Sequence, residues 1–298
     1  MRVLLTGSAG QVGRALLPLL RERADVISPL RDQFDLSRPD ELAGKLESIK
    51  PDLIVNPAAY TAVDRAEDER ELAFRINAEA PRAIAQWAAP RGVPLIHFST
   101  DYVFDGSGDR PWREDSTPGP LSVYGQSKLA GDLAIAEAGA LHVIARTSWV
   151  YAASGANFLK TIVRLAGERE QLRIVADQIG APTTASTISQ AIVAMLPLGG
   201  DGLRKTFEQR GGVVNLVCAG ETSWHGFATA IVVGLQSRGV KLAVKEIVPI
   251  RSDEFPVKAK RPSNSRLDLT LLRERFGIAP PDWQQALDRE LDIFQATI

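Results

Sequence analysis

Short apolar runs rich in leucine, isoleucine and valine alternate along the first half of the chain with longer stretches whose apolar residues recur at helical spacing. Residues 2–6 (RVLLT) predict a strand. Residues 11–21 predict a helix, with Ala15, Leu16, Leu17, Leu19 and Leu20 on its apolar side. Further strands are predicted at 25–30, 52–56 (DLIVN), 93–98 (VPLIHF) and 141–146 (LHVIAR). Further helices are predicted over 39–49, with Pro39 inside the first turn, and over 67–89. Strands that alternate with helices imply a parallel sheet covered on both faces, so the expected class is α/β, a doubly wound parallel sheet of Rossmann type.

Between the fourth and fifth strands, residues 105–120 are rich in glycine and proline and read as a long loop of the kind that carries function. Beyond residue 150 the alternation is less regular. Helices are expected over 157–167, 186–196 and 223–238, and strands over 172–176 and 213–217, with loops near Pro182, Pro256 and Pro262. Residues 1–150 are therefore expected to form one domain. Residues 151–298 are expected to form mainly a smaller C-terminal substrate lobe, with segments returning to the first domain.

Composition narrows the chemistry. The 298 residues carry a formal net charge of -1, so no general field favours a polyanion and nucleic acid is not an expected partner. An acidic small ligand has to be held by local charges. The single cysteine, Cys218, allows no disulfide within the chain, which fits a reducing, cytoplasmic setting. No run reaches the ~18 apolar residues of a membrane helix. His97, His142 and His225 are not spaced as metal ligands, and no metal site is expected.

The first strand runs into Gly7-Ser-Ala-Gly10-Gln-Val-Gly13, and a helix begins inside that loop. Glycines let a backbone turn sharply and approach a pyrophosphate, and the N–H groups of a helix N-terminus then face the phosphates. This marks residues 1–150 as a dinucleotide-binding domain. The second strand ends without the carboxylate that would bond an adenosine ribose, and Arg31 follows, which leans towards the 2′-phosphate of NADPH over NADH. Arg31 reads equally as a solvated loop residue. Asp35 and Leu36 come next, where an adenine could be gripped.

Tyr124 and Lys128 lie four residues apart, on one face of a helix. Ser99-Thr100 ends the fourth strand, and in open α/β sheets ligands bind beyond the carboxyl ends of the strands. Reducing a ketone needs a hydride on carbon and a proton on oxygen. A free phenol holds its proton too tightly, with a pKa near ~10, and an adjacent ammonium is expected to lower it by roughly 2–3 units. Thr100 can donate to the carbonyl oxygen as charge develops there.

These segments resemble the extended short-chain dehydrogenase/reductase superfamily and, more narrowly, the dTDP-4-dehydrorhamnose reductase family. The resemblance runs nearly end to end. Its carriers are GQVG (10–13), NPAAYTAVD (56–64), STDYVFDG (99–106), YGQSKLAG (124–131), RTSWVY (146–151), DQIGAPT (177–183) and RPSNSRL (261–267). It implies a catalytic trio of Thr100, Tyr124 and Lys128. It implies cofactor contacts at Gly10, Gln11 and Val12, at Asp35 and Leu36, and at Ala59, Tyr60 and Thr61; Gly7 and Gly13 of the glycine loop, Ala58 beside Ala59, and Tyr124 with Lys128 are expected to meet the cofactor as well. It implies substrate contacts at Thr100, Asp101, Trp149, Arg261 and Asn264. The implied reaction is NADPH- or NADH-dependent reduction of the C4 ketone of a dTDP-linked 4-keto-6-deoxy hexose. Arg261, close to Lys258 and Lys260, has the cationic setting a diphosphate needs, although a solvated basic loop would look the same.

Departures from the family pattern carry information. Some members are joined through magnesium held by a carboxylate two residues after the third glycine. Here that residue is Ala15, so magnesium is not supported and a monomer or weak homodimer is expected. Pro57 and Asp132 also differ from the usual residues. Two rival readings stay open on sequence. A reductase or epimerase acting on another nucleotide 4-keto sugar would share the Tyr–Lys pair, whereas a dehydratase would need a glutamate where Tyr102 stands. A non-catalytic regulatory subunit could keep the fold, but would not need all three of Thr100, Tyr124 and Lys128.

Overall fold

In β1 (Arg2–Leu5), Val3 and Leu5 face one layer of helices and Leu4 faces the other, as the alternation of a strand requires. The same split recurs in β3 (Leu53–Asn56), where Val55 and Ile54 go opposite ways, and in β5 (His142–Thr147), where Val143 and Ala145 oppose Ile144. Strands buried on both faces need apolar residues at nearly every position, which is what the short apolar runs supply. The computed structural model describes residues 1–197 and 202–296.

The main sheet has six strands, with β2 (Asp25–Ile27) at one edge, followed by β1, β3, β4 (Leu95–Thr100), β5 and a strand from the second half, Gly212–Asn215. All neighbours are parallel. The chain moves outward from β1 to β2 and then returns across it to β3, so the strand order reverses between β1 and β3. A crevice opens at such a reversal, at the carboxyl ends of the strands.

Helices α1 (Gln11–Arg21) and α2 (Pro39–Ile49) have the bounds their periodicity predicts. The second strand is shorter than expected, because Pro29 brings no ladder donor and the chain leaves the sheet after Ile27. The helix expected over 67–89 is broken into pieces. Arg70–Phe74 and Ala80–Ala88 are α-helical and Arg75–Glu79 forms a π turn. Pro81 has no N–H to offer the Asn77 carbonyl one turn earlier, so the ladder must change there. The widened turn lies against the helix Val123–Glu137. A Cβ on Gly131 would stand 2.0 Å from the Asn77 carbonyl oxygen, so only glycine admits this approach.

The second half adds a separate apolar cluster. Helices Phe158–Glu168, Trp224–Ser237 and Trp283–Gln295 pack Leu159, Ile162, Phe227, Ile231, Leu287 and Leu291 together. A two-stranded parallel ladder of Gln171–Val175 and Glu246–Ile250 borders it. Helix Ala185–Met195 instead packs on α1, with Ile188 and Ile192 in the cluster of the main sheet. The strand Glu246–Ile250 and the helix Trp283–Gln295 lie outside the sequence expectation. Cys218 is buried and free. Among the described residues no helix is long and apolar enough to cross a membrane.

Candidate active site

At the reversal point the glycine loop closes on itself. Gly10 N–H donates to the Gly7 carbonyl at 2.9 Å, and Gly7 has φ +57°, the left-handed region. A Cβ on Gly13 would lie 2.1 Å from the Gly7 oxygen, so the loop's fold depends on that glycine. Helix α1 then starts with no side-chain cap and no acidic residue in its first turn. Its N–H groups and its dipole are left for an anion.

A cavity of about 1020 Å³ extends from this loop across the ends of β1, β3 and β4. That is at or above the upper end for a single small ligand, and suits a dinucleotide with a second ligand beside it. Gly7, Gly10, Gln11, Val12 and Gly13 line it, with Arg31, Asp35 and Leu36, and with Ala58, Ala59, Tyr60 and Thr61. Burial pushes the Asp35 carboxyl up, but the hydrogen bonds of Ser37 and the charges of Arg31 and Arg38 outweigh it, and Asp35 titrates below its ordinary value. The loop carrying Tyr60 is clamped by Asn77 of the π turn, which accepts from Tyr60 N–H at 2.8 Å and donates to its carbonyl at 3.0 Å. Asn77 also donates to Ser127 Oγ at 3.0 Å, and Ser127 donates to the Tyr124 carbonyl at 2.7 Å. The π turn thus joins the wall of the cavity to the helix that bears Tyr124.

Thr100, Asp101, Tyr124, Lys128 and Trp149 line the same cavity. Helix Val123–Glu137 is capped by Ser122, whose oxygen accepts from Gly125 N–H at 3.2 Å, and this sets Tyr124 at the first turn. Tyr124 meets Tyr102 edge to face at 5.5 Å. Thr100 Oγ1 donates to Asp101 Oδ1 at 3.0 Å. The electrostatics differ from the sequence expectation. Burial, and next the Asp101 carboxylate, push the Tyr124 phenol well up, against a hydrogen bond with Thr100. The expected lowering by Lys128 is absent. Lys128 is itself fully buried and lowered to about 8 by that burial, against the pull of Asp132, and its Nζ is turned towards His97.

Asp101 is almost wholly buried, and its Oδ2 lacks a hydrogen bond of normal geometry. Burial raises it to about 6, against hydrogen bonds from Ser265, Thr100 and the backbone. A carboxyl raised in the folded state stabilises the fold at low pH, and that contribution is lost as pH rises through about 6. Asp101→Asn is therefore expected to raise the melting temperature at pH 8 and to lose that advantage near pH 4, as thermal unfolding scans at both pH values will show. The two-unit shift corresponds to roughly 3 kcal/mol.

Trp149 adopts φ +48°, a strained value for a residue with a side chain, and stacks on Trp224 with ring centroids 3.7 Å apart. Arg261 and Asn264 are not part of this wall. Arg261 pairs with Asp64 at 2.6 Å, and Lys258 bonds Asp68 beside it. Arg261 Nη1 is buried without a partner among the described residues. Asn264 is buried and donates to the carbonyls of Ser107 and Arg110 at 3.2 and 2.8 Å, so it pins the 105–120 loop. Residues that the sequence did not single out also line the cavity, among them Ser154, Asn157 and Trp224. Asn157 donates to Gln11 Oε1 at 3.0 Å and so bridges the two halves of the chain. No local motif marks these residues, because they reach the cavity through chain crossings.

The sheet order, the glycine loop at its reversal and the Thr–Tyr–Lys wall are those of a dinucleotide-dependent enzyme of the extended short-chain dehydrogenase/reductase class. The sequence model of the RmlD substrate binding domain matches residues 1–296. A dTDP-4-dehydrorhamnose reductase of Burkholderia thailandensis is 46% identical over 289 residues, 96% of this chain and 97% of that protein. That of Escherichia coli K12 is 42% identical over 302 residues, 100% of this chain and 99% of that one. Among solved structures, the Bacillus anthracis dTDP-4-dehydrorhamnose reductase in complex with NADP superposes with a TM-score of 0.87 at 34% identity, covering 98% of this chain and 99% of that one. A Clostridium acetobutylicum dTDP-4-dehydrorhamnose reductase ortholog reaches 0.89 at 32% identity, covering 99% and 100%. The chain belongs to the dTDP-4-dehydrorhamnose reductase family.

Proposed function

We propose that the protein reduces the C4 ketone of dTDP-6-deoxy-L-lyxo-4-hexulose (dTDP-4-dehydro-L-rhamnose) to dTDP-L-rhamnose in the cytoplasm, with NADPH or NADH as donor. The observation that carries this reading is the meeting of Thr100, Tyr124 and Lys128 on one wall of the cavity that the glycine loop opens. The loop, into which no Cβ fits at Gly13, and the uncapped start of α1 suit a dinucleotide diphosphate. Arg31, Asp35, Leu36 and residues 58–61 would hold its adenosine and ribose parts. A bound reduced nicotinamide supplies the hydride.

The chain supplies the rest. Tyr124 carries a proton on its phenol at neutral pH, and burial with the Asp101 carboxylate makes that proton harder to release than from a free phenol. Thr100 presents a hydroxyl to the oxygen on which charge develops. Lys128 lines the same cavity and brings an amino group to it. Asp101 and Trp149 would border the sugar. Arg261, with one buried nitrogen unpaired, is the group we assign to the substrate diphosphate, and Asn264 fixes the loop next to it. We assign residues 1–150 to the dinucleotide-binding domain and 151–298 mainly to the substrate lobe, and infer a monomer or weak homodimer.

Mixing purified protein with NADPH and the 4-keto sugar nucleotide is expected to consume the reduced nicotinamide, followed by its ultraviolet absorbance. No oxidation with NADPH or NADH would overturn the reading, and protein that purifies with bound NAD+ would turn it towards an epimerase. Arg31 is exposed on the cavity rim. If it meets a 2′-phosphate, Arg31→Ala should raise the KM for NADPH by about tenfold, the value of one charge-assisted hydrogen bond, and leave that for NADH unchanged. Steady-state kinetics with both donors decides it.

A further inference from the structure

Among the described residues, the hydrogen-bonding partner of Lys128 Nζ is His97, whose Nε2 lies 2.9 Å away. His97 sits on β4, and its Nδ1 lies 3.2 Å from Nδ2 of Asn56 at the end of β3. Asn56 Oδ1 in turn accepts from Thr6 Oγ1, just past β1, at 2.6 Å. Four buried polar side chains therefore run across three adjacent strands, from the root of the glycine loop to the helix that bears Tyr124. Polar groups inside apolar strands destabilise a fold unless each finds a partner, and here they find one another.

The chemistry of the row is constrained. An ammonium has only donors, so a charged Lys128 can bond Nε2 only through a ring lone pair. The neutral ring then carries its proton on Nδ1, and that N–H needs the oxygen of the Asn56 amide. In the arrangement seen, the amide presents Nδ2 to the ring and Oδ1 to Thr6. Nδ1 then accepts, Nε2 carries the proton and donates it to the lone pair of an uncharged Lys128 amine. The two arrangements differ by one proton, exchanged with solvent through the cavity, and by a half-turn of the Asn56 amide that exchanges its oxygen and nitrogen and leaves the outline of the side chain unchanged. The Thr6 hydroxyl can donate in one and accept in the other.

We propose that His97 is a positioning residue for the reduction, holding the Lys128 amino group through Nε2 and changing tautomer, together with the Asn56 amide, as Lys128 gains or loses its proton. This role rests on the reductase reading of the same site. The ring itself stays neutral, because burial and then Lys128 and His142 hold its pKa well below the ordinary value. Lys128, lowered to about 8, can take either charge state near neutrality. The other charged or titratable groups around the pair are Asp132 on the same helix, Arg146 on β5 that pairs with it, Tyr124 one turn before Lys128, and Asp101 beyond β4.

The chain has three histidines, so the ring nitrogens can be followed one by one in long-range proton–nitrogen NMR spectra of the whole protein. Across about pH 6 to pH 10, the range that brackets Lys128, His97 is expected to stay neutral while its proton moves from Nδ1 to Nε2. Lys128→Met should abolish the change. A His97 that gains charge in that range, or keeps one tautomer throughout, overturns the proposal. In kinetics, His97→Leu should lower kcat by about tenfold or more, part of the ~10²–10⁴ that a proton-transfer group contributes, and displace the pH profile of kcat. His97→Gln, which keeps an acceptor, should recover most of it. A folded Leu variant with the wild-type pH profile overturns the role. If the Leu variant does not fold, the Gln variant and the wild-type titration still decide. If the wild type reduces no keto sugar, the reductase reading falls, and the ring-nitrogen titration still tests whether His97 responds to Lys128.

Discussion

Tyr124→Phe is expected to lower kcat by about 10²–10⁴-fold, with the affinity for NADPH changed little. The substitution removes one oxygen and keeps the ring, so the edge-to-face contact with Tyr102 and the capped first turn survive. What disappears is the proton for the developing alkoxide. Thr100 remains as a hydrogen-bond donor but cannot replace it, since a hydroxyl of that kind holds its proton too strongly. A phenol is protonated at neutral pH even without the upward push of burial and Asp101, so the wild type enters reduction with its donor loaded. Steady-state kinetics, with cofactor binding followed by nicotinamide fluorescence, separates the two effects. A Phe variant that keeps a tenth or more of wild-type kcat would remove Tyr124 from the mechanism.

The second large effect lies behind the catalytic helix. Asp132 is fully enclosed, accepts from Ser99 Oγ at 2.7 Å, and lies 3.6 Å from Arg146 Nε. It is also the carboxylate that acts on Lys128. Burial raises Asp132 and lowers Arg146 and Lys128, so desolvation opposes all three charges. Asp132→Asn keeps the shape and leaves two buried cations without their shared anion. Loss of one partner of a buried pair costs about 3–5 kcal/mol. For a chain of this size that is a fall in Tm of roughly 5–8 °C, measurable by calorimetry. Asp132→Leu combined with Arg146→Met should recover much of the loss, because removing both charges also removes the desolvation penalty. A double variant whose loss equals the sum of the losses of the two single variants would show that the pair is not coupled.

The residues that the sequence made legible are those whose meaning is local. Gly7, Gly10 and Gly13 follow a strand and open a helix within one short segment, and their role needs no distant partner. Tyr124 and Lys128 share a helical face by spacing alone. His97 and Asn56 carry no catalytic signal in the sequence, because each is one polar residue in an apolar strand. Their meaning depends on β3 and β4 being neighbours and on the register Asn56↔His97, which the sequence does not state. Asn264 and Arg261 stood in a segment that resembles a nucleotide-sugar loop, yet one pins residues 105–120 and the other pairs with Asp64.

Periodicity and motif spacing determined the α/β class, the glycine loop and the helix with its Tyr–Lys pair. These follow from interactions between residues a few positions apart. Tertiary structure alone decided the strand order, the entry of Gly212–Asn215 into the main sheet, the π turn that clamps Tyr60 and abuts Gly131, and the pairing of Lys128 with His97. It also reversed the direction expected for Tyr124, because the pKa of a buried phenol follows the water it loses and the carboxylate that packs beside it. Both are set by segments far away in the chain.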